Sequence, residues 1–237
     1  MGSEEVLLPV LNSTSKPPPV FDGTTRLYTA YTCPFAQRVW IARNYKGLQD
    51  QIQLVPISMD DKPTWYKDLY PPAKVPCLEH NNKIKGESLD LVKYLDSHFQ
   101  GPSLYPDDAV KLEFAQLQFA NADAFGAAVI TYLKGGSDLD SEICVLFDKL
   151  EEGLSKFNDG PFFLGRFSAV DIAYAPFIER YQPLLLELKS YEITETRPKL
   201  GVWIKEMDKI DAYKQTKRDS KELTSHIKRR VLVSHGA

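Results

Sequence analysis

Within the first sixty residues, the spacing of apolar positions changes from the alternation typical of a strand to the spacing of a helix, and then back again. Residues 24–31 alternate polar and apolar positions around Leu27, which predicts a strand. From Pro34 the apolar positions fall at helical spacing, and Gly47 marks the end of that helix because glycine accepts the left-handed conformation. Residues 51–57 alternate again. This order of strand, helix and strand predicts two parallel strands joined by a right-handed crossover.

The next forty residues predict an antiparallel extension of that sheet. Residues 60–70 predict a loop or a short helix, and residues 75–80 predict a third strand. Asn81-Asn82 then indicates a hairpin, since asparagine tolerates positive φ, and residues 83–85 predict a short returning strand. In the helix that follows, the positions expected to face inward are Leu89, Val92, Leu95 and Phe99.

The segment QGPSLYP, residues 100–106, is the strongest linker signal in the chain. After it the pattern predicts helices alone, over residues 107–134, 138–157, 168–188 and 194–210. Ser168 with Asp171 predicts a helix-capping box, which we interpret as a folding feature rather than a catalytic pair.

The predicted organisation therefore has three parts. Residues 1–22, which contain three consecutive prolines, predict an extended N-terminal arm rather than a packed element. Residues 23–100 predict an α/β domain, and residues 107–237 predict an all-helical domain. Basic residues outnumber acidic ones near the end of the chain, which favours a solvated helical end.

Composition narrows the functional classes. The net charge of −3 over 237 residues argues weakly against nucleic acid as the main partner. The sequence contains no apolar run of the roughly 20 residues that a transmembrane helix needs, and the N-terminus MGSEEVLLPVL predicts neither a secretory signal nor a transit peptide. Three widely spaced cysteines favour a reducing compartment. We therefore expect a soluble cytoplasmic protein.

The stretch AYTCPFAQRVW, residues 30–40, places a cysteine where a strand changes to a helix. Proline is favoured at the first helical position, so Pro34 puts Cys33 at a helix N-terminus. That position can lower a cysteine pKa from about 8.5 into the range ~3.5–7.5, and Arg38 can add to the effect. A small buried hydrophobic cysteine is the alternative, and position alone does not decide. Ala36 stands where a dithiol enzyme has its second cysteine, so any catalysis is monothiol.

Two further pairs in this domain indicate a partner for a lone thiol. Val75-Pro76, at the start of the third strand, can leave backbone groups free to pair with an extended ligand. Glu87-Ser88 stands at a helix N-terminus, where amides and a hydroxyl bind a carboxylate and Glu87 can bind an ammonium. Each pair alone is better explained as a strand entry or a helix cap. Together they indicate a site for a small peptide that carries a thiol.

The motifs TCPFAQR, KVPCLE and GESLDLVKYL, in this order, resemble those of glutathione transferases with a catalytic cysteine, most closely the plant Lambda class. The related Omega class and the dehydroascorbate reductases share the cysteine site. The resemblance covers almost the whole chain. It implies the glutathione transferase fold, in which an α/β thioredoxin-like N-terminal domain precedes an all-α C-terminal domain.

The resemblance also implies roles for individual residues. Cys33 would be the nucleophile, with glutathione as co-substrate and no metal. The glutathione-binding residues would be Pro34, Phe35, Lys62, Val75, a cis Pro76, Glu87 and Ser88. Lys62 would reach the glycyl carboxylate, Val75 the cysteinyl part, and Glu87 with Ser88 the γ-glutamyl head. The candidates for a second-substrate pocket are Phe125, Tyr132, Arg180 and Trp203, of which the aromatic three are equally explained as core residues.

The expected activity is that of a monomeric thioltransferase that removes glutathione from S-glutathionylated small molecules, with flavonoid-type metabolites as acceptors. A dehydroascorbate reductase and a non-enzymatic carrier of aromatic metabolites remain alternatives. Neither nucleic acid nor a membrane is an expected partner.

Overall fold

The computed structural model describes residues 5–135 and 140–232. The chain divides into two compact units, Met1–Pro102 with Asp211–Lys217, and Ser103–Ile210 with Arg218–Ala237. The position predicted for the start of the second long helix, residue 138, lies outside the described residues. Within the described ranges, none of the helices is both long and apolar enough to span a bilayer.

The elements alternate between strands and helices in the first hundred residues and are helical afterwards. In chain order they are β1 Thr25–Thr29, α1 Pro34–Tyr45, β2 Ile52–Pro56, α2 Thr64–Leu69, β3 Cys77–His80, β4 Lys83–Lys85, α3 Ser88–His98, α4 Ala109–Lys134, α5 Asp140–Ser155, α6 Ala169–Lys189, α7 Pro198–Met207, α8 Asp211–Lys214 and α9 Ser220–Leu232.

The first unit is built on a four-stranded sheet of order β2-β1-β3-β4. Leu27 of β1 pairs with Leu54 in parallel β2 and with Leu78 in antiparallel β3. The predicted parallel crossover and the hairpin are both confirmed. Because β1 and β2 run in parallel and β3 runs opposite, the ends of β1 and β2 and the start of β3 lie at one edge of the sheet. Three loops leave from that edge.

Local residue chemistry explains where these elements end. Gly47 follows α1 with φ +69°, so it is the predicted left-handed stop. Asn81 and Asn82 both adopt positive φ in the turn between β3 and β4. Two inward positions were predicted incorrectly at α3. Leu89 and Phe99 are only half-buried, whereas Leu91 is buried with Val92 and Leu95.

The predicted N-terminal arm is extended, but the expectation that it does not pack is wrong. Leu11 forms a parallel bridge with Ile57 just beyond the end of β2. Its amide donates to the Pro56 carbonyl over 2.8 Å, and the Ser58 amide donates to the Leu11 carbonyl over 2.8 Å. The arm thereby covers part of the outer edge of β2, whose backbone groups would otherwise be exposed.

The end of the chain also departs from its prediction. Residues 211–217 pack with the first unit rather than the helical one, and Gln37 of α1 donates to the Thr216 hydroxyl over 3.2 Å. In the helical unit α9 packs on α6, where Leu223 is buried and Lys228 pairs with Glu187. The tail is helical as predicted, but apolar burial holds part of it in place.

The helical unit is organised around α6. Ser168 and Asp171 form the predicted capping box, and the Asp171 carboxylate also accepts a 2.8 Å hydrogen bond from Trp203 Nε1. The helix continues through Pro176 and Pro183. Helix α7 begins at Pro198, not at residue 194 as the pattern indicated, since proline is favoured at the first helical position.

Asp171 gives stability a pH dependence that can be measured. Burial raises the pKa of this carboxyl to about 6, although its hydrogen bonds oppose the rise. Because the pKa of Asp171 is higher in the folded than in the unfolded state, the folded state holds this proton to a higher pH. The contribution of Asp171 to the free energy of unfolding therefore falls as pH rises through about 4 to 6.

We therefore expect Asp171→Asn to destabilise the protein, since asparagine has one acceptor oxygen where two are used. The loss should be smaller at pH 7 than at pH 5 by about 1 kcal/mol, because only the wild-type group titrates. Urea unfolding of both proteins at the two pH values measures this. An equal loss at both pH values would contradict the assignment.

Candidate active site around Cys33

Cys33 lies where β1 gives way to α1. Its amide donates to the Ala30 carbonyl over 2.9 Å, and its own carbonyl accepts the first helical bond from the Gln37 amide over 3.0 Å. Pro34 occupies the first helical turn, as predicted. The half-buried side chain therefore lies at the positive end of the α1 dipole, a position that favours thiolate over thiol.

The backbone of Val75 faces this thiol. The distance from Cys33 Sγ to the Val75 carbonyl oxygen is 3.8 Å. The Val75–Pro76 peptide bond is cis, as the resemblance implied. Pairing between β1 and β3 begins at Tyr28 with Cys77, so Val75 lies outside the strand ladder. An extended peptide bound along Val75 would bring its own thiol next to Cys33.

The N-terminus of α3 contributes a second group of polar atoms. Ser88 is the first helical residue, and its hydroxyl accepts a 3.0 Å hydrogen bond from Arg38 Nη1. The hydroxyl keeps its own O–H for a ligand acceptor. Glu87, which precedes it, is exposed and has φ +64°, a conformation that non-glycine residues seldom adopt. Such outliers are found preferentially at binding sites.

Arg38 links the two helix starts, a role that sequence reasoning missed. Its guanidinium is fully buried, lies 5.3 Å from the ring centroid of Phe35 and donates to Ser88. Sequence reasoning gave Arg38 only an electrostatic effect on the thiol. The pattern showed that it follows Cys33 by about one helical turn, but not which neighbour the long side chain would reach.

Lys62 lies in the loop that joins β2 to α2. Its side chain is half-buried and makes no ion pair with any residue in the described ranges. Met59 of this loop, Trp65 of α2 and Cys33 all pack against one hydrophobic cluster. The loop leaves the sheet from the edge that carries Cys33 and Val75.

Comparison with known proteins agrees with this arrangement. The model of the glutathione S-transferase N-terminal domain matches residues 27–103, and that of the C-terminal domain matches residues 146–206. Protein IN2-1 homolog B of Oryza sativa subsp. indica is 57% identical over 216 residues, which are 91% of this chain and 88% of that protein. Glutathione S-transferase L3 of Arabidopsis thaliana is 56% identical over 223 residues, 94% of each chain. The chain belongs to the Lambda class of the glutathione S-transferase family.

The fold is that of the family. A solved structure, the glutathione transferase Omega 3C of Trametes versicolor, superposes with a TM-score of 0.77 at 26% identity, covering 89% of this chain and 91% of that one. The glutathione transferase fold predicted from the motifs is thus confirmed. The assignment of glutathione-contacting residues stays a prediction, to which the geometry of Cys33, Val75, Ser88 and Glu87 gives support. Phe35 is 39% exposed.

Cys77, although it follows Pro76, does not share the properties of Cys33. Its side chain is fully buried in β3, and burial raises the pKa of its thiol to about 12. A thiol of this kind carries almost no thiolate at neutral pH and is a poor nucleophile. Cys77 is therefore a core residue of this transferase.

The four residues predicted for a second-substrate pocket are all buried in the helical unit. Trp203 has the surroundings of a core residue, because it is 1% exposed and its indole N–H is bound to Asp171. This agrees with the core alternative, and its pocket role stays a prediction. Arg180 donates to the Pro176 carbonyl over 2.6 Å. Its role and that of Tyr132 stay predictions.

Phe125, one of these four residues, borders an open space. It lines a cavity of about 450 Å³ between α4 and α5, together with Gln118, Leu150 and Tyr174. Its ring also packs edge-on against Phe147 at a centroid distance of 5.4 Å. Both the pocket and the core interpretations therefore describe part of its surroundings.

The contrast between the thiols predicts selective alkylation. In native protein at pH 7.5 we expect iodoacetamide to modify Cys33 and to leave Cys77 unmodified until the protein is unfolded in urea, because only the former is accessible and favoured as thiolate. Peptide mass spectrometry measures both sites, and a Cys144→Ala variant removes the third, half-buried thiol. Modification of native Cys77 at a rate similar to that of Cys33 would contradict the assignment.

Proposed function

We propose that this Lambda-class transferase is a thioltransferase that removes glutathione from S-glutathionylated small molecules. The observation that carries the proposal is the position of Cys33 Sγ, at the start of α1 and 3.8 Å from the Val75 carbonyl. Ala36 occupies the place of a second cysteine and is fully buried. The thiol therefore needs an external thiol to complete a cycle.

In the first step the Cys33 thiolate attacks the glutathione sulfur of the adduct. A new S–S bond joins Cys33 to glutathione, and the bond between glutathione and the acceptor breaks. Its electron pair leaves with the acceptor, which takes a proton from solvent. A mixed disulfide releases a thiol in this way, and a carbon–sulfur conjugate releases the acceptor with a C–H bond.

In the second step a glutathione thiolate attacks the mixed disulfide. It releases Cys33 as thiolate and leaves as oxidised glutathione. The sum is that one adduct and one glutathione give the reduced acceptor and one oxidised glutathione, so the two electrons come from the two glutathione sulfurs. The dipole of α1 assists both steps, because it stabilises Cys33 as the attacking group and as the leaving group.

The proposed class of acceptor rests on the resemblance to the Lambda class. Flavonoid-type metabolites are the acceptors that the Lambda-class resemblance implies, and an electron-poor aromatic ring is a suitable leaving group for the first step. The activity requires glutathione to bind with its sulfur beside Cys33, which the position of Val75 outside the strand ladder and the polar N-terminus of α3 support.

Substitution of the thiol tests the mechanism. Cys33→Ser should lower turnover of a glutathionylated flavonol and of a glutathione mixed disulfide by at least about a hundredfold, since an alcohol forms no mixed disulfide. Cys144→Ala is the matched control and should keep wild-type turnover. The assay follows oxidised glutathione with glutathione reductase and NADPH.

Three outcomes would overturn the proposal. The first is near-normal turnover in Cys33→Ser. The second is that the wild-type protein turns over dehydroascorbate but does not turn over the glutathionylated compounds, which would indicate a dehydroascorbate reductase. The third is undiminished flavonoid binding in Cys33→Ala with no turnover in the wild type, which would indicate a carrier.

A further inference from the structure

We propose that residues 11–15 of the N-terminal arm fix the position of the loop that carries Lys62, so that Ser13 and Asp61 act as positioning residues for the glycyl carboxylate of glutathione. The inference rests on the proposed function, because it assumes that glutathione binds with its glycine near Lys62. It adds that a segment before the first strand of the sheet helps to set the affinity for glutathione.

The arm and the loop are joined first through the backbone. The bridge of Leu11 with Ile57 extends the direction of β2 by one residue beyond the strand. The Ser58 amide, the first of the loop, donates to the Leu11 carbonyl over 2.8 Å. The Leu11 side chain packs against the same hydrophobic cluster as Met59 and Trp65. The start of the loop is thus paired to the arm rather than to the sheet.

Side chains make the second connection, directly beside Lys62. The Ser13 hydroxyl donates to Asp61 Oδ2 over 2.9 Å, and the Ser13 amide approaches the same oxygen at 3.4 Å. Asp61 in turn donates its amide to the Ser58 hydroxyl over 3.1 Å. In the first turn of α2, just past the loop, Trp65 Nε1 donates to the Ser15 carbonyl over 2.9 Å. The arm therefore contacts the chain on both sides of Lys62.

The arm itself has a defined shape at this point. The Asn12 side-chain oxygen accepts hydrogen bonds from the Thr14 amide at 3.1 Å and from the Ser15 hydroxyl at 3.1 Å. The Asn12 amide donates back to the Ser15 hydroxyl over 2.9 Å. The Ser15 amide also donates to the Asn12 carbonyl over 2.9 Å, so backbone and side-chain bonds close the same turn. Residues 12–15 are thereby a formed turn and not a loose tether.

A third contact joins the arm to the loop before the thiol. The Tyr31 hydroxyl donates to the Leu8 carbonyl over 3.1 Å, and Tyr31 precedes Cys33 by two residues. The arm consequently contacts two loops of the proposed glutathione site, the one that precedes Cys33 and the one that carries Lys62. An arm that only shielded the edge of β2 would require the Leu11 bridge alone.

The experiment compares Ser13→Ala and Asp61→Ala with the wild type in steady-state kinetics. Each should raise the KM for glutathione by about two- to tenfold, the effect of one lost hydrogen bond, with kcat little changed. The double variant should be no worse than the more impaired single variant, because both remove the same contact. Ser13→Thr keeps the hydroxyl and should restore the wild-type KM. Ser97→Ala, at an exposed serine bonded within α3, is the matched control.

Glutathione ethyl ester separates positioning from general stability. With the glycyl carboxylate esterified, the wild type should lose affinity, and Ser13→Ala should cause no further loss. The same pattern is expected of Lys62→Ala. A variant that merely loosened the fold would be impaired with both co-substrates.

Each negative result has its own meaning. Near-normal turnover of the glutathionylated substrates by Cys33→Ser would overturn the proposed function. A wild-type KM in Lys62→Ala, with Cys33→Ser inactive, would remove Lys62 from the site and the inference with it. A raised KM in Lys62→Ala together with a wild-type KM in Ser13→Ala would overturn the role of the arm but leave Lys62 in the site. The role of the arm would also be overturned if Ser13→Ala were impaired equally with glutathione and with its ester.

Discussion

The parallel pairing of β1 with β2, with β3 antiparallel on the other side, is the constraint on which the candidate site depends. It brings the ends of two strands and the start of a third to one edge of the sheet. Cys33 follows β1 and Val75 precedes β3, so residues 42 positions apart in the chain come within 3.8 Å. The loop with Lys62 begins at the same edge, because it follows the end of β2. Chemistry at the thiol thus follows from strand order.

Helix starts supply the polarity of the site. Helix α1 begins directly after Cys33, and α3 begins at Ser88, so each presents the positive end of its dipole to an anion or a thiolate. Arg38 joins them, because its buried guanidinium donates to Ser88 from the second turn of α1. Burying an arginine is costly, and this hydrogen bond offsets part of that cost. The link makes the two helix starts one unit in the geometry of the site.

Much of this could be predicted from the sequence, since the signals were local. Cys33-Pro34, Asn81-Asn82, Gly47 and the capping box of Ser168 with Asp171 each act within a few residues, and the structure confirms all four. Contacts over long separations could not be predicted. The bond of Arg38 to Ser88, that of Ser13 to Asp61 and the packing of residues 211–217 on α1 depend on tertiary structure. The role of Trp203 could not be decided from the sequence for the same reason, because an aromatic residue at helical spacing fits a core and a pocket equally well.

The central claim is that Cys33, and no other thiol of this chain, forms a covalent bond with glutathione. Mass spectrometry of the intact protein after incubation with oxidised glutathione tests it most directly, followed by peptide mapping of the product. The account predicts one glutathione per chain, located at Cys33 and removed by reduced glutathione. No adduct, or an adduct at Cys77 or Cys144 with Cys33 free, would contradict it.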